Sequence, residues 1–352
     1  MLAWIDSLGA AGLDGKDLIE LGLKNGNLTV DDQRNGKQWT FEDINLSLTR
    51  PQAGSVTLGI SSGSGEQPWS LRAALTPGEN GHRIVNIEVR RLPAKDMMLA
   101  MRIGDGQYEP DMPVSARIRA NIGPDGIPHM VDGRILMEKG QIVDVDEPLS
   151  RIVIDRAEFT LDWDAIRRVL VVPFQVVSGG NRMTLLAQFD APREPGGAWG
   201  LKVSGGTVVL VSSANDPSPL ILNRFLLRLR LDPDKQRIEI EQGEFGNVDL
   251  GLLVSGHVDL ANGEPRLAIG VAGSRMSVAA MKRLWPAFLS PKVRAWVEDH
   301  LISGTVERIV IATNAELVTL RSSGPPIPEN GLAIEINGTG AEIRPVVGLP
   351  PI

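Results

Sequence analysis

Few residues of this 352-residue chain combine the type and spacing that chemistry requires, and none comes with the surroundings that chemistry needs. Gly59-Ile60-Ser61-Ser62-Gly63 has the G-x-S-x-G spacing of a nucleophile elbow, in which a strained strand-to-helix turn exposes the serine. Here Ser64-Gly65-Glu66-Gln67-Pro68 follows and breaks any helix. The motif reads instead as a flexible turn, and residues 61–68 as an exposed loop. Asp144, Asp146 and Glu147 have the spacing of calcium ligands, but the glycine and distal glutamate of an EF-hand are missing. They read as a solvated strand end. Asp299 and His300 are neighbours, but consecutive residues on a helix point apart, which assigns them a structural or solvent role. Arg90–Arg91 and Arg167–Arg168 are isolated basic pairs, suited at most to an anionic headgroup. The Asn27-Leu28-Thr29 sequon reads as incidental.

Composition narrows the chemistry further. With no cysteine there is no disulfide framework, thiolate zinc site or cysteine nucleophile. The four histidines (His82, His129, His257, His300) are scattered, so no histidine-based metal centre is expected. No cofactor is expected either, and nothing assembles into an enzyme active site. A net charge of −7 and a pI near 5.3 argue against a broad basic face for nucleic acid. The 42% hydrophobic fraction is enough for an ordered fold, and 38 glycines with 24 prolines imply many turns. The length suits two domains or one long all-β unit. No run approaches the ~18 apolar residues of a spanning helix. Residues 1–16 read as a short amphipathic helix without the basic start of a signal peptide.

The elements that must position any site are strands. Apolar residues alternate with polar ones at period 2, which sends them to one face of a sheet. Residues 18–30 read as a hairpin turning at Asn25–Gly26, with Leu21 and Leu23 on its apolar side. The alternation continues through Ile87 and Val89, Ile118, Phe159 and Leu161, and Leu185. Residues 226–241 place Leu229, Leu231, Ile238 and Ile240 on one face, with rows of Arg228 and Arg230 and of Glu239 and Glu241 opposite. Those rows are placed to pair across a hairpin. Residues 247–260 add Val248, Leu250, Leu252 and Val254, and the pattern resumes with Ile309 and Ile311. About 24 strands are expected, mostly antiparallel. The helical exception is a pair over 277–303: Val278, Met281 and Leu284 at helical spacing, an interruption at Pro286, then a helix led by Ser290 and Pro291. Its apolar stripe is Val293, Trp296, Val297 and Leu301.

Each aliphatic side chain left in water forfeits about 1.5–3 kcal/mol, so the apolar face must be covered. Two short helices cannot do it. Two facing sheets, a closed barrel, or one sheet curled into a trough that holds apolar ligand all satisfy the pattern.

Residues 283–311 carry Trp285-Pro286, Pro291, Arg294-Ala295-Trp296, Leu301 and Gly304, and residues 23–51 carry a strand pair. Both blocks resemble the YhdP-type branch of the AsmA-like family. The resemblance implies a mainly β fold: a long, twisted antiparallel sheet curled into a hydrophobic groove over 17–276, interrupted by the helical pair at 277–303 and continued over 304–352. It also implies a non-enzymatic function. Phospholipid acyl chains would lie along the groove between the inner and outer membranes of a diderm bacterium. The expected groove residues are Leu21, Leu23, Ile87, Val89, Ile118, Phe159, Leu161, Leu185, Leu229, Leu231, Ile238, Ile240, Leu250, Leu252, Val254, Ile309 and Ile311. About 24 strands at ~4.8 Å would span roughly 115 Å, a partial bridge. Both ends read as cuts through a longer periplasmic protein, with its inner-membrane tether outside this chain. The competing expectation is a structural β-sandwich scaffold for envelope assembly with a self-filled core.

Overall fold

The computed structural model describes residues 19–32, 37–62, 68–101, 108–145, 151–192, 194, 196–212, 218–261, 264–285, 291–320 and 324–344. Of these, 68% lie in strands, and 19 strands form one long antiparallel sheet that is not closed into a barrel. A separate three-stranded sheet is formed by β6 (Tyr108–Asp111), β9 (Gly140–Asp144) and β10 (Ile152–Ile154). The sheet is open, which removes the closed barrel.

The chain forms two compact units. The first is a meander of β1 (Glu20–Asp32), β2 (Lys37–Thr49), β3 (Val56–Ser62), β4 (Ser70–Pro77), β5 (Arg83–Pro93), β7 (Pro113–Ile122) and β8 (Pro128–Met137), with most of β11 (Arg156–Asp164). The second holds β12 (Val169–Ser178), β13 (Asn181–Asp190), β14 (Trp199–Leu210), β15 (Leu220–Leu222), β16 (Arg224–Asp232), β17 (Arg237–Gly246), β18 (Gly251–Asp259), β19 (Arg266–Gly273), β20 (Met276–Ser277), β21 (Leu301–Glu316) and β22 (Leu332–Ile343). Neighbours pair antiparallel because tight turns join them: Ser178 pairs with Asn181 around Gly179, whose φ of 59° suits glycine. β14 carries a bulge at Gly206. A Cβ there would sit 1.8 Å from the Thr184 carbonyl oxygen, so the bulge requires glycine.

The second unit buries a cluster where a helix meets its strands, and in the first unit several side chains around a helix are buried. In the first, α1 (Ala94–Met101) follows β5, and Val89, Leu92, Ala94, Met112 and Val114 are buried. This helix has a local signal in Ala94-Lys95-Asp96-Met97-Met98, all but Asp96 good helix formers, which the strand periodicity on either side masked. In the second, α2 (Val278–Leu284) starts on Ser277, whose Oγ accepts from the Ala280 N–H, and α3 (Pro291–His300) follows.

Several expectations change. Asn25–Gly26 is not a hairpin turn: β1 runs through it, with Asn25 at φ 49° and the pairing to β2 shifting register around Gly26. An Asn-Gly pair supplies the left-handed conformation a bulge needs as readily as the one a turn needs. The strand after the helical pair begins at Leu301 rather than after 303. Residues 247–250 form the turn between β17 and β18, leaving Val248 90% exposed. The stripe of α3 is only half used, since Val293 and Trp296 are exposed while Val297 and Leu301 pack inward. The expected helix over 1–16, Pro286, Ser290 and the last eight residues lie outside the described residues.

Candidate functional site: an apolar sheet face

The strand registers place the alternating residues in rows that cross the sheet. In the second unit one row runs Trp199, Leu231, Ile238, Val258, Leu267. The next runs Leu201, Leu229, Ile240, Gly256, Ile269, and a third Val203, Leu227, Gly243, Val254, Val271, Ile311. The fourth, Phe225, Phe245, Leu252, Gly273, Ile309, lies beside α2. In the first unit the rows are Leu23, Leu46, Ile60, Leu71, Val89, Ala116, Ile135 and Leu21, Leu48, Leu58, Ala73, Ile87, Ile118, Gly133. Leu161 leans over Gly133, whose Cβ would come within 3.1 Å of it. Facing residues across antiparallel strands share a side, so each unit has one continuous apolar face.

That face is covered unevenly. Beside α2, a cluster of Leu185, Val208, Leu222, Leu250, Met276, Val278, Ala280, Met281, Val306 and Ile309 is buried, and Phe225, Phe245, Leu252 and Ile311 pack against it. Phe225 and Phe245 meet edge to face, 4.7 Å between centroids. Away from the helix, Leu227, Leu229, Leu231, Ile238, Ile240 and Val254 are only half-buried. So are Ile87, Ile118, Phe159 and Leu161 in the first unit, while Leu21 and Leu23 on β1 are exposed. The expected groove residues therefore all occupy apolar faces or their margins, but in two environments. Leu185, Leu250 and Ile309 are covered by the protein's own side chains and leave no surface for a ligand, and Val89 is 9% exposed. Their alternation pattern matches that of Leu229 or Ile240. What separates Leu185, Leu250 and Ile309 from those residues is the cluster that α2 completes.

The opposite face is polar and internally paired. Arg237 Nε donates to Asp259 Oδ1 at 2.5 Å, and that bond holds the Asp259 carboxyl below its usual range. Lys235 pairs with Asp232 at 3.2 Å at the tip of the β16–β17 hairpin. Arg230 stands opposite Glu239 as expected, but a register shift puts Gln242 rather than Glu241 opposite Arg228. In the first unit Arg90 pairs with Glu88, Arg91 with Glu138 at 2.7 Å, and Arg134 with Glu158. Arg167 reaches Asp164 at 3.7 Å. Most of the arginines in the two basic pairs thus already have carboxylate partners.

None of the motifs with chemical spacing forms a site. Gly59 to Ser62 lie within β3, with Ser61 opposite Ser70, so this part of the motif is strand rather than turn; Gly63 lies outside the described residues, and the next described element is β4. Asp144 ends β9 and is buried rather than solvated, while Asp146 and Glu147 lie outside the described residues. His300 Nδ1 donates to the Trp296 carbonyl at 2.9 Å and its ring stacks on that indole. His82 and His129, 47 positions apart, meet with ring centroids 4.7 Å apart. Even so, no group of three or more His, Asp or Glu among the described residues is arranged to hold a metal. Within the helical element, Lys282 Nζ donates to the Glu298 carbonyl, and burial draws that ammonium below its usual value. Trp285 caps α2, Arg294 pairs with Glu298 at 2.9 Å, and Gly304 takes φ 136° within β21.

Neither the protein-family models, nor the curated proteins, nor the solved structures compared with this chain give a match.

Proposed function

We propose that this chain is a lipid-carrying segment of a periplasmic, inner-membrane-tethered protein of the AsmA-like kind, and that it acts without catalysis. Acyl chains lie against the apolar rows while headgroups stay in water. The observation that carries this reading is the set of apolar rows that, among the described residues, stay half-buried and outside the cluster under α2. Each methylene shielded on such a wall is worth about 0.8 kcal/mol, so retention needs no polar recognition. Neighbouring rows present near-equivalent contacts, which lets a chain pass from strand to strand.

The scaffold reading draws support from the buried cluster beside α2, which the protein fills by itself. The two readings separate on the rows beginning at Trp199 and Leu201. Native mass spectrometry of gently purified protein tests them: the lipid reading expects co-purifying phospholipid, and protein free of any lipid overturns it.

A further inference from the structure

The apolar face of the second unit is different at its two strand ends, and the difference has a direction. At one end the row of Phe225 and Phe245 abuts the buried cluster under α2. At the other end the row of Leu231 and Ile238 reaches the strand termini. There Trp199, on the same face and 45% exposed, sits beside the charged hairpin tip of Asp232 and Lys235. An indole at the junction of an apolar surface and water is how proteins mark the headgroup level of a lipid layer, because one edge of the ring is apolar and the other donates. Between these limits, Leu231 to Phe225 along β16 is six residues, about 20 Å at ~3.3 Å each. The acyl layer of one membrane leaflet is about half of a ~30 Å hydrocarbon core, or ~15 Å. The wall is deep enough for a phospholipid tail laid along the strands, and it ends where the helix begins.

Resting on the lipid-carrying reading, we infer that phospholipid binds the second unit in one orientation. The glycerol end lies at the Trp199–Lys235 rim, and the methyl end points at Phe225 and Phe245, with α2 as the stop. Because the chain has no cysteine, a single introduced thiol gives a unique labelling position. Leu231→Cys and Leu227→Cys stand on the same strand and face, four residues apart. Each is labelled with a bimane fluorophore and mixed with phosphatidylcholine vesicles carrying a doxyl quencher either near the glycerol or near the methyl end of one chain.

The ratio of methyl-end to glycerol-end quenching is expected to exceed one at Leu227→Cys and to fall below one at Leu231→Cys. Equal ratios at the two positions, or the reverse order, overturn the orientation while leaving lipid binding intact. No quenching at either position overturns the lipid-carrying reading itself. Circular dichroism of both labelled variants checks that the sheet has formed.

Discussion

Phe225, Leu227, Leu229 and Leu231 of β16 and Ile238, Ile240 and Phe245 of β17 share one face of the sheet, yet the two strand ends meet different surroundings. Phe225 and Phe245 abut a cluster that α2 completes with Val278, Ala280 and Met281. Leu229, Leu231, Ile238 and Ile240, on the same face of the same strands, are half-buried and lie outside that cluster. A single seven-residue helix thus divides one chemically uniform surface into a core and a wall. A helix this short has little stability of its own, so it persists by docking. What the alternation specifies is a side of the sheet. Whether that side becomes core or binding surface is decided by what else the chain folds onto it.

The contrast can be broken or sharpened by substitution. The largest effect is expected at the covered end: Met281→Ala removes a side chain that is 5% exposed and should cost about 2–5 kcal/mol in denaturant unfolding. Leu229→Ala, on the half-buried wall, should cost clearly less. Equal costs would mean that the wall is a core after all. Leu229→Arg should leave the far-ultraviolet spectrum of the sheet unchanged while lowering bound phospholipid on the order of tenfold, the cost of a guanidinium among acyl chains being tempered by nearby water. Undiminished lipid would refute the placement of that residue. Ser277→Ala removes the cap of α2 and should cost ~1 kcal/mol, with a gain in lipid if the helix limits the wall. The smallest effect belongs to the polar face. The lowered pKa of Asp259 makes its contribution complete above the usual carboxylate range, and that contribution is lost as pH falls through the folded value. Asp259→Asn should therefore flatten the acid limb of the stability profile slightly.

Much of this was legible in the sequence. Period-2 alternation identified the strands and the side on which Leu229, Ile240 and Ile118 stand, and the spacing of Val278, Met281 and Leu284 identified α2. The rows were not legible, because they depend on registers that the bulges near Gly206, Gly243 and Gly256 reset. Nor could alternation separate Ile309 from Ile311 or Leu250 from Leu252, since burial there is conferred by a partner remote in sequence. The Asn25–Gly26 signal was real but ambiguous, because a bulge and a turn make the same local demand on the backbone.

The most direct test is a photo-crosslinking scan along β16. A benzophenone amino acid is placed at each position from 225 to 231 in turn, and capture of phospholipid is measured. The lipid-wall account predicts capture at 227, 229 and 231, little at 226, 228 and 230, and a drop at 225, where the helix-covered cluster begins. Capture that ignores the alternation, or that occurs at none of the seven positions, would contradict it.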